Sequence, residues 1–155
     1  MDSRILQIPN QEGIVALVTG ANSGLGFETT KALLENDATG FMCCRDSEKA
    51  QAAREKLVMG TNSHKIELIT VDLADLSEVN KVSSQFTKKV DKIDLLINNA
   101  GLMAPPRTLS KQAIEIQFAV NHLGHMALTL SLLPFLTRNG KARVVTVTSG
   151  AQYMG

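Results

Sequence analysis

The sequence predicts an α/β protein built on a doubly wound parallel sheet. Short apolar, β-branched segments alternate with longer segments of helical periodicity along almost the whole chain. A right-handed crossover through each helix returns the next strand parallel to the one before it, so helices cover both faces of the sheet. The chain contains no repeat, low-complexity tract or linker, which predicts a single domain over residues 14–155 after a lead-in of residues 1–13.

Each element is predicted from its own pattern. Runs of β-branched and other apolar residues predict five strands, at 14–19, 38–44, 65–71, 93–97 and 142–148. Apolar periodicity predicts four helices, at 25–35, 47–59, 76–90 and 111–137. Asp46, Asp75 and Ser110 stand where a side-chain oxygen can accept hydrogen bonds from the first N–H groups of a helix. Asp75 and Glu78 together fit a capping box.

The charge balance gives no electrostatic drive toward nucleic acid or an anionic membrane. Sixteen basic and fifteen acidic residues leave a net charge of +1. The longest mainly apolar run, 126–136, falls well short of the ~20 residues that a membrane-spanning helix needs. The first residues show no secretory signal, so we expect a cytoplasmic protein whose partner is a small molecule.

Neither a disulfide nor a metal site is predicted. Cys43 and Cys44 are adjacent on a strand and point to opposite faces, which is poor geometry for a disulfide. His122 and His125 lie one helical turn apart, but no cysteine or carboxylate accompanies them at metal-ligand spacing. We expect free thiols in a reducing compartment, and histidines that pack or face solvent.

Three glycines are concentrated between the first strand and the first helix, in the run TGANSGLG of residues 19–26. Gly20 can take backbone angles closed to other residues, Gly24 lets a ligand approach the backbone, and Gly26 allows close packing of the helix. The N-terminus of the helix then faces an anion. An ordinary glycine-rich turn is the alternative, but the position directly after a strand favours a diphosphate-binding turn.

The T-G-x-x-x-G-x-G spacing of this turn resembles the short-chain dehydrogenase/reductase family of oxidoreductases. Further family features follow in the family's order, each near the end of a predicted strand or on the long helix; they are Asp72-Leu73, Asn98-Asn99-Ala100-Gly101, Asn121 and Ser149. The resemblance spans essentially the whole chain. It implies a Rossmann-type sheet in the strand order 3-2-1-4-5, truncated before the family's last strands.

Part of the sequence resembles one branch of that family. The segment 98–106 and the run Asn-His-Leu-Gly-His at 121–125 are most similar to retinol dehydrogenases, WW-domain oxidoreductases and light-dependent protochlorophyllide reductases.

The resemblance also implies which residues bind a nicotinamide cofactor. In the glycine turn these are Gly20, Asn22, Ser23, Gly24, Leu25 and Gly26. Asp72 and the backbone of Leu73 would line the adenine pocket. Asn99, Ala100 and Gly101 would pass beside the adenosine ribose. Asn98 is expected to brace neighbouring strands.

The residue after the second strand distinguishes the two nicotinamide cofactors. A carboxylate at this position binds the ribose hydroxyls of NAD and repels the 2′-phosphate of NADP. This sequence has Arg45 there, whose guanidinium offers planar, charge-assisted donors to a phosphate. Asp46 follows, and either binds the ribose from a shifted loop or caps the second helix. We expect NADP(H), with NAD(H) as the alternative.

The resemblance implies two catalytic residues in this chain. In this family a tyrosine transfers a proton as hydride moves to or from the nicotinamide, a lysine four residues later lowers the pKa of that tyrosine, and a serine positions the substrate oxygen. Ser149 matches the serine, and Asn121 matches the asparagine that helps hold a water in the proton relay. The alternatives are a turn at Ser149 and backbone hydrogen bonding by Asn121 inside its helix.

The catalytic tyrosine has no match. Tyr153 is the only tyrosine; it stands four residues after Ser149, a shorter interval than the family has, and no lysine follows it. A phenol titrates near ~10, so without a nearby cation it is a poor base at neutral pH. We therefore do not assign Tyr153 to catalysis.

Three functions fit the sequence. The first is an NADP(H)-dependent oxidoreductase that interconverts a carbonyl and an alcohol or reduces an activated double bond. The second is a catalytically silent NADP(H)-binding module that lacks the Tyr-x-x-x-Lys pair. In the third, another polypeptide pairs with the exposed edge of the fifth strand. Apolar residues cover much of the last helix and predict aggregation or homo-oligomerisation; they are Ile114, Ile116, Phe118, Leu123, Met126, Leu128, Leu132, Leu133 and Phe135.

Overall fold

The sheet has five parallel strands in the order β3-β2-β1-β4-β5, which confirms the predicted topology. The structure is a computed structural model that describes residues 8–86, 88–138 and 140–150 of the chain. The strands are β1 (Val15–Thr19), β2 (Thr39–Cys44), β3 (Ile66–Thr70), β4 (Leu95–Asn98) and β5 (Arg143–Thr146). The chain moves outward from β1 to β3 and then returns to the other side of β1 as β4. This reversal opens a crevice at the carboxyl ends of β1 and β4.

The alternation of side chains along β1 divides the core into two layers, one on each face of the sheet. Leu17 packs on one face with Phe86 and Leu128, and Val18 packs on the other with Leu57. All of these side chains are buried. Because helices cover both faces at this point, β1 is apolar almost throughout, as central parallel strands are.

The first two connecting helices lie where they are predicted. Helix α1 is Gly24–Glu35 and helix α2 is Ser47–Thr61. The Asp46 carboxylate caps α2 by accepting a hydrogen bond from the Lys49 N–H at 3.0 Å. This contact confirms the predicted cap.

The third predicted helix, 76–90, is two short helices, α3 (Leu76–Val79) and α4 (Val82–Phe86). Asp75 caps α3 by accepting from the Ser77 N–H at 2.9 Å. Glu78 accepts from the Asp72 N–H and does not return to Asp75, so the predicted capping box is wrong in its second half. The break follows Asn80, a residue whose side chain competes with helical hydrogen bonding.

The fourth predicted helix begins five residues later than the predicted start at 111. Helix α5 is Ile116–Leu136. The Ser110 side chain accepts from the Ile114 N–H at 3.3 Å within a turn, so the predicted cap at Ser110 is wrong. Glu115 is the cap instead, because its carboxylate accepts from the N–H groups of Gln117 and Phe118 at 3.0 and 2.8 Å.

Helix α5 contains a π-helical turn at Ala119–Gly124. Such turns widen the helix by one residue and are frequent at functional sites. Asn121 lies in this turn. His125 follows it at the start of the remaining α-helical part, His125–Leu136.

The far edge of the sheet is much less covered than its centre. Every residue of β5 is exposed, including Val144 and Val145 at 46% and 45%. Helix α5 also exposes several large apolar side chains; they are Phe118, Met126, Leu130 and Leu133. This face fits the predicted oligomerisation, which stays a prediction.

Helix α5 is long and apolar enough to span a membrane by length and composition alone. It has 21 residues and a mean hydropathy of 1.2 over its most apolar window, of which 44% is buried. Leu128 and Leu132 are fully buried in the layer that contains Leu17. We therefore interpret α5 as a core helix.

Candidate cofactor-binding cleft

The carboxyl ends of β1, β2, β3 and β4 surround an open cleft of about 530 Å³. This volume is in the range of small-molecule binding sites. Most of the predicted cofactor-binding residues line it; they are Gly20, Asn22, Ser23, Leu25, Arg45, Asp72, Leu73, Asn99, Ala100 and Gly101. Gly24 and Gly26 are not among the lining residues, and they contribute to the site through the backbone geometry of the turn.

The backbone of the glycine turn adopts a conformation that requires glycine at three positions. Gly20 has a φ of +64° and Gly24 a φ of +54°, both in the left-handed region. A Cβ at Gly26 would lie 2.5 Å from the Gly20 carbonyl oxygen, which is closer than real contacts permit. Gly24 has open space where a side chain would stand. The turn therefore packs against itself on one side and is open on the other.

The N-terminus of helix α1 opens into the cleft without a cap of its own. Ser23 stands at the cap position, but its side chain makes no capping hydrogen bond, and the first turn carries no acidic residue. Helix α2 differs, because Asp46 caps it and Glu48 lies in its first turn. The uncapped N–H groups and partial positive charge of α1 suit an anion.

Thr19, the last residue of β1, holds the loop of residues 99–101 against the glycine turn. Its buried hydroxyl accepts hydrogen bonds from the backbone N–H groups of Asn99 and Ala100, both at 2.9 Å. The Asn99 side-chain amide donates to the Thr19 carbonyl oxygen, also at 2.9 Å. Thr19 thus connects the two strand ends that flank the crevice.

Cys44 supports the same turn from β2. It is 4% exposed, and burial raises the pKa of its thiol. Backbone hydrogen bonds from Ala21 and Asn22 partly oppose that rise in pKa. Burial also raises the pKa of the Cys43 thiol, and both cysteines are buried and free.

Arg45, Asp46 and Lys49 form the charged end of the cleft. Asp46 accepts from the Lys49 N–H at 3.0 Å and lies 3.4 Å from the Lys49 ammonium. These contacts with Lys49 lower the pKa of Asp46, because they favour its carboxylate form. Arg45 is exposed and makes no ion pair with any described residue. Its guanidinium is available to a ligand.

Leu73 is held at the opposite wall of the cleft by Gly124 of helix α5. A Cβ at Gly124 would overlap the Leu73 carbonyl group, so only glycine allows this approach. The neighbouring Asp72 carboxylate accepts from the Ala74 N–H at 2.9 Å and fixes the turn after β3.

The Asn121 side chain forms two hydrogen bonds with the backbone of Leu102. Its Oδ1 accepts from the Leu102 N–H and its Nδ2 donates to the Leu102 carbonyl, both at 2.8 Å. The Asn121 amide thus bonds to the backbone of a residue outside helix α5, whereas the alternative that the sequence left open was backbone bonding inside its own helix. The Asn121 carbonyl oxygen belongs to the π-helical turn and lies 3.3 Å from His125 Nδ1.

Asn98 connects β4 to helix α5 through its side chain, whereas we expected it to brace neighbouring strands. It is 4% exposed, and its Nδ2 donates to Thr129 Oγ1 at 3.2 Å. Its carbonyl accepts from the Val147 N–H at 2.9 Å, which extends the β4–β5 pairing by one residue. The Asn98 Oδ1 has no hydrogen-bond partner among the described residues.

Ser149 lies at the carboxyl end of β5, where it is exposed and outside the lining of the cleft. Its role in catalysis stays a prediction. Tyr153 lies outside the described residues.

Sequence reasoning missed several residues of the site. Thr19 and His125 stood inside the motifs that carry the resemblance, but no role was assigned to the hydroxyl or the imidazole. Lys49 lies in the first turn of α2, three residues after the predicted cap Asp46, and its proximity to that cap is the signal that could have found it. Leu102, Val120 and Val147 line the cleft without a sequence signal beyond their apolar character.

The sheet order, the glycine turn and the cleft at the strand reversal define a fold of the Rossmann type. Comparison with known families specifies the class further. The model of the short chain dehydrogenase family matches residues 14–155. The chain belongs to this family of oxidoreductases, whose members bind nicotinamide cofactors and act on small molecules.

Curated relatives include the branch that the sequence motifs indicated. The chain is 43% identical to a short-chain dehydrogenase/reductase of Armillaria gallica, with 96% of this chain and 49% of the relative covered. It is 35% identical to human retinol dehydrogenase 13, covering 92% and 43%. It is 39% identical to the WW domain-containing oxidoreductase of Pongo abelii, covering 94% and 35%. The chain spans half or less of the length of these relatives.

Solved structures share the fold. An uncharacterised protein of Mycobacterium paratuberculosis has a TM-score of 0.78 at 42% identity, covering 93% of this chain and 49% of that one. The NADP complex of RhlG from Pseudomonas aeruginosa has a TM-score of 0.76 at 26% identity, covering 92% and 57%.

Proposed function

We propose that this chain binds NADP(H) in the cleft at the carboxyl ends of β1–β4 and serves an oxidoreductase that interconverts a small-molecule carbonyl and alcohol. The observation that carries the proposal is that one cleft contains both an uncapped helix N-terminus and Arg45, an arginine that forms no ion pair with the described residues. NADP(H) carries two anionic groups, a diphosphate and a 2′-phosphate. The helix N-terminus suits the first group and the arginine suits the second.

The diphosphate is proposed to bind at the N-terminus of α1. The N–H groups there lack a side-chain cap, and Gly24 leaves open space beside the backbone. The Thr19 hydrogen bonds fix the distance between the 99–101 loop and the end of β1. The residues present therefore fit a dinucleotide.

Preference for NADP(H) over NAD(H) is proposed to come from Arg45 with Lys49 near it. A guanidinium pairs with phosphate through two parallel hydrogen bonds, which makes such contacts strong and specific. Asp46 accepts from the Lys49 N–H and pairs with the Lys49 ammonium, which supports its role as the cap of α2. The Pseudomonas aeruginosa relative, at 26% identity, was solved with NADP.

For catalysis, the bound cofactor supplies hydride donation and acceptance. Ser149 is proposed to position the substrate oxygen. Asn121 is proposed to contribute through its carbonyl oxygen, because its amide is engaged by Leu102. A catalytically silent NADP(H)-binding module is the second candidate, favoured by the position of Ser149 outside the lining of the cleft.

The test is a fluorescence titration of the chain with NADPH and NADH, followed by an assay of NADPH consumption with assorted aldehydes and ketones. We expect saturable binding that favours NADPH, and Arg45→Ala should weaken NADPH binding by about tenfold or more with little change for NADH. Lys31→Ala, remote from the cleft in a surface pair with Glu35, is the control. Equal affinity for both cofactors contradicts the role of Arg45. Consumption of NADPH would contradict the silent module.

A further inference from the structure

His125 is a buried imidazole that the proposed function does not use. It is 4% exposed and lies between the end of β1 and the π-helical turn of α5. Its Nε2 lies 2.9 Å from Thr19 Oγ1, and its Nδ1 lies 3.3 Å from the Asn121 carbonyl oxygen. The ring therefore connects the residue that holds the 99–101 loop with the residue that holds Leu102.

The contacts of the Thr19 hydroxyl determine where its proton points. A hydroxyl has one proton to donate and two lone pairs that accept. The N–H groups of Asn99 and Ala100 use both lone pairs. The proton then has two possible acceptors, the His125 Nε2 at 2.9 Å and the Ile97 carbonyl at 3.4 Å. The nitrogen is at ordinary hydrogen-bond distance and the carbonyl is not.

This arrangement determines the tautomer of His125. If Nε2 accepts the Thr19 proton, the ring proton must be on Nδ1. Nδ1 faces the Asn121 carbonyl oxygen, which is an acceptor and satisfies that proton. A proton on Nε2 would face a hydroxyl oxygen whose lone pairs are already used. One tautomer satisfies all these groups and the other leaves a buried polar contact unsatisfied.

We infer that His125 is a positioning residue for the cofactor site: as its neutral Nδ1–H tautomer it accepts the Thr19 proton, which keeps both lone pairs of that hydroxyl on the N–H groups of the 99–101 loop. The inference rests on the proposed function only for its effect on cofactor binding. Its structural part, the tautomer and the Thr19 contact, stands without a cofactor. His125 touches no reacting atom and acts through Thr19.

The first test is imidazole ¹⁵N NMR on the full chain without cofactor. We expect the His125 resonances of a protonated Nδ1 and an unprotonated Nε2, and Thr19→Val should shift the Nε2 resonance most. A predominant Nε2–H tautomer, or a signal unaffected by Thr19→Val, would overturn the inference. This readout does not depend on NADPH binding, so it separates failure of this inference from failure of the proposed function.

The second test measures the dissociation constant of NADPH in a set of variants. His125→Leu should weaken binding about tenfold, the size expected for loss of one buried hydrogen bond. His125→Gln, whose side-chain oxygen can accept from Thr19, should recover most of that loss. The double variant His125→Leu with Thr19→Val should bind no more weakly than Thr19→Val alone, because both changes remove the same interaction between His125 and Thr19.

A matched control comes from the same helix. His122 is exposed and stacks on Phe118 at a ring distance of 5.3 Å, so His122→Leu should leave NADPH binding unchanged. Wild-type affinity in His125→Leu, full additivity in the double variant, or no recovery in His125→Gln would each overturn the inference. If His125→Leu does not fold, the His125→Gln affinity and the NMR tautomer still decide the question.

Discussion

The two sides of strand β4 differ sharply in how completely they are packed. On one side, β4 pairs with β1, where Val18 and Leu17 are buried on opposite faces and Thr19 connects the strand ends. On the other side, β4 pairs with β5, whose residues are all exposed. The cofactor cleft belongs to the packed side and Ser149 to the open side. The cleft is therefore lined mainly by residues at the ends of β1–β4, whereas Ser149 lies outside its lining.

The largest effect should come from removing packing on the covered side. Leu96 on β4 is fully buried and pairs in register with Val144 on β5, which is 46% exposed. Leu96→Ala should lower the free energy of unfolding by about 2–5 kcal/mol, the usual cost of a cavity in a core. Val144→Ala should change it by about 0.5 kcal/mol or less, as exposed substitutions do. Urea unfolding of both variants measures this contrast, and equal losses would contradict it.

The next effect concerns the glycine turn itself. Gly26→Ala places a methyl group against the Gly20 carbonyl, so it should cost about 1–3 kcal/mol of stability and abolish saturable NADPH binding. Gly60, near the end of α2, has open space around it. Gly60→Ala is the matched control and should raise stability by up to ~1 kcal/mol with binding unchanged. Thermal unfolding and NADPH titration together distinguish the two, and normal binding by Gly26→Ala would contradict a diphosphate site at this turn.

A smaller effect should appear on acidification. Burial lowers the pKa of His125, and the hydrogen bond with the Asn121 carbonyl opposes this only in part. A pKa that is lower in the folded state than in the unfolded chain favours the neutral ring. The associated stability is therefore present above the unfolded pKa of ~6.5 and is lost as pH falls through the folded pKa.

Unfolding curves of wild type and His125→Gln between pH 7.5 and 5 test whether stability falls with falling pH as this pKa direction requires. Wild type should lose stability across the range more steeply than His125→Gln, whose side chain does not titrate. The exposed His64 serves as control, because His64→Gln should keep the wild-type slope. Identical slopes for wild type and His125→Gln would contradict the buried neutral ring.

The fold was predictable because each of its signals is local. The β-branched runs predicted five strands, and the glycine turn with Asp72, Asn99 and Asn121 in order indicated the family and the sheet order. The predicted helix bounds were wrong where side-chain hydrogen bonds, rather than apolar periodicity, determine the end of a helix. Ser110 bonds within its own turn, and Glu115 supplies the cap that starts α5.

The cleft was predictable as a set of positions but not as a hydrogen-bond network. Parallel strands bring their carboxyl ends together, so residues just after β1, β2, β3 and β4 had to meet. The partners of the Thr19 hydroxyl are 78 to 106 residues away in the chain, and no local pattern encodes such pairs. The same limit explains why the engagement of the Asn121 amide by Leu102 was visible only in the structure.

The most direct measurement is backbone hydrogen exchange of the full chain with and without NADPH. We expect slower exchange at the glycine turn of residues 19–26 and at the 99–101 loop, and no change along Arg143–Thr146 of β5. Protection confined to β5, or no protection at the glycine turn under saturating NADPH, would contradict a dinucleotide site at the carboxyl ends of β1 and β4.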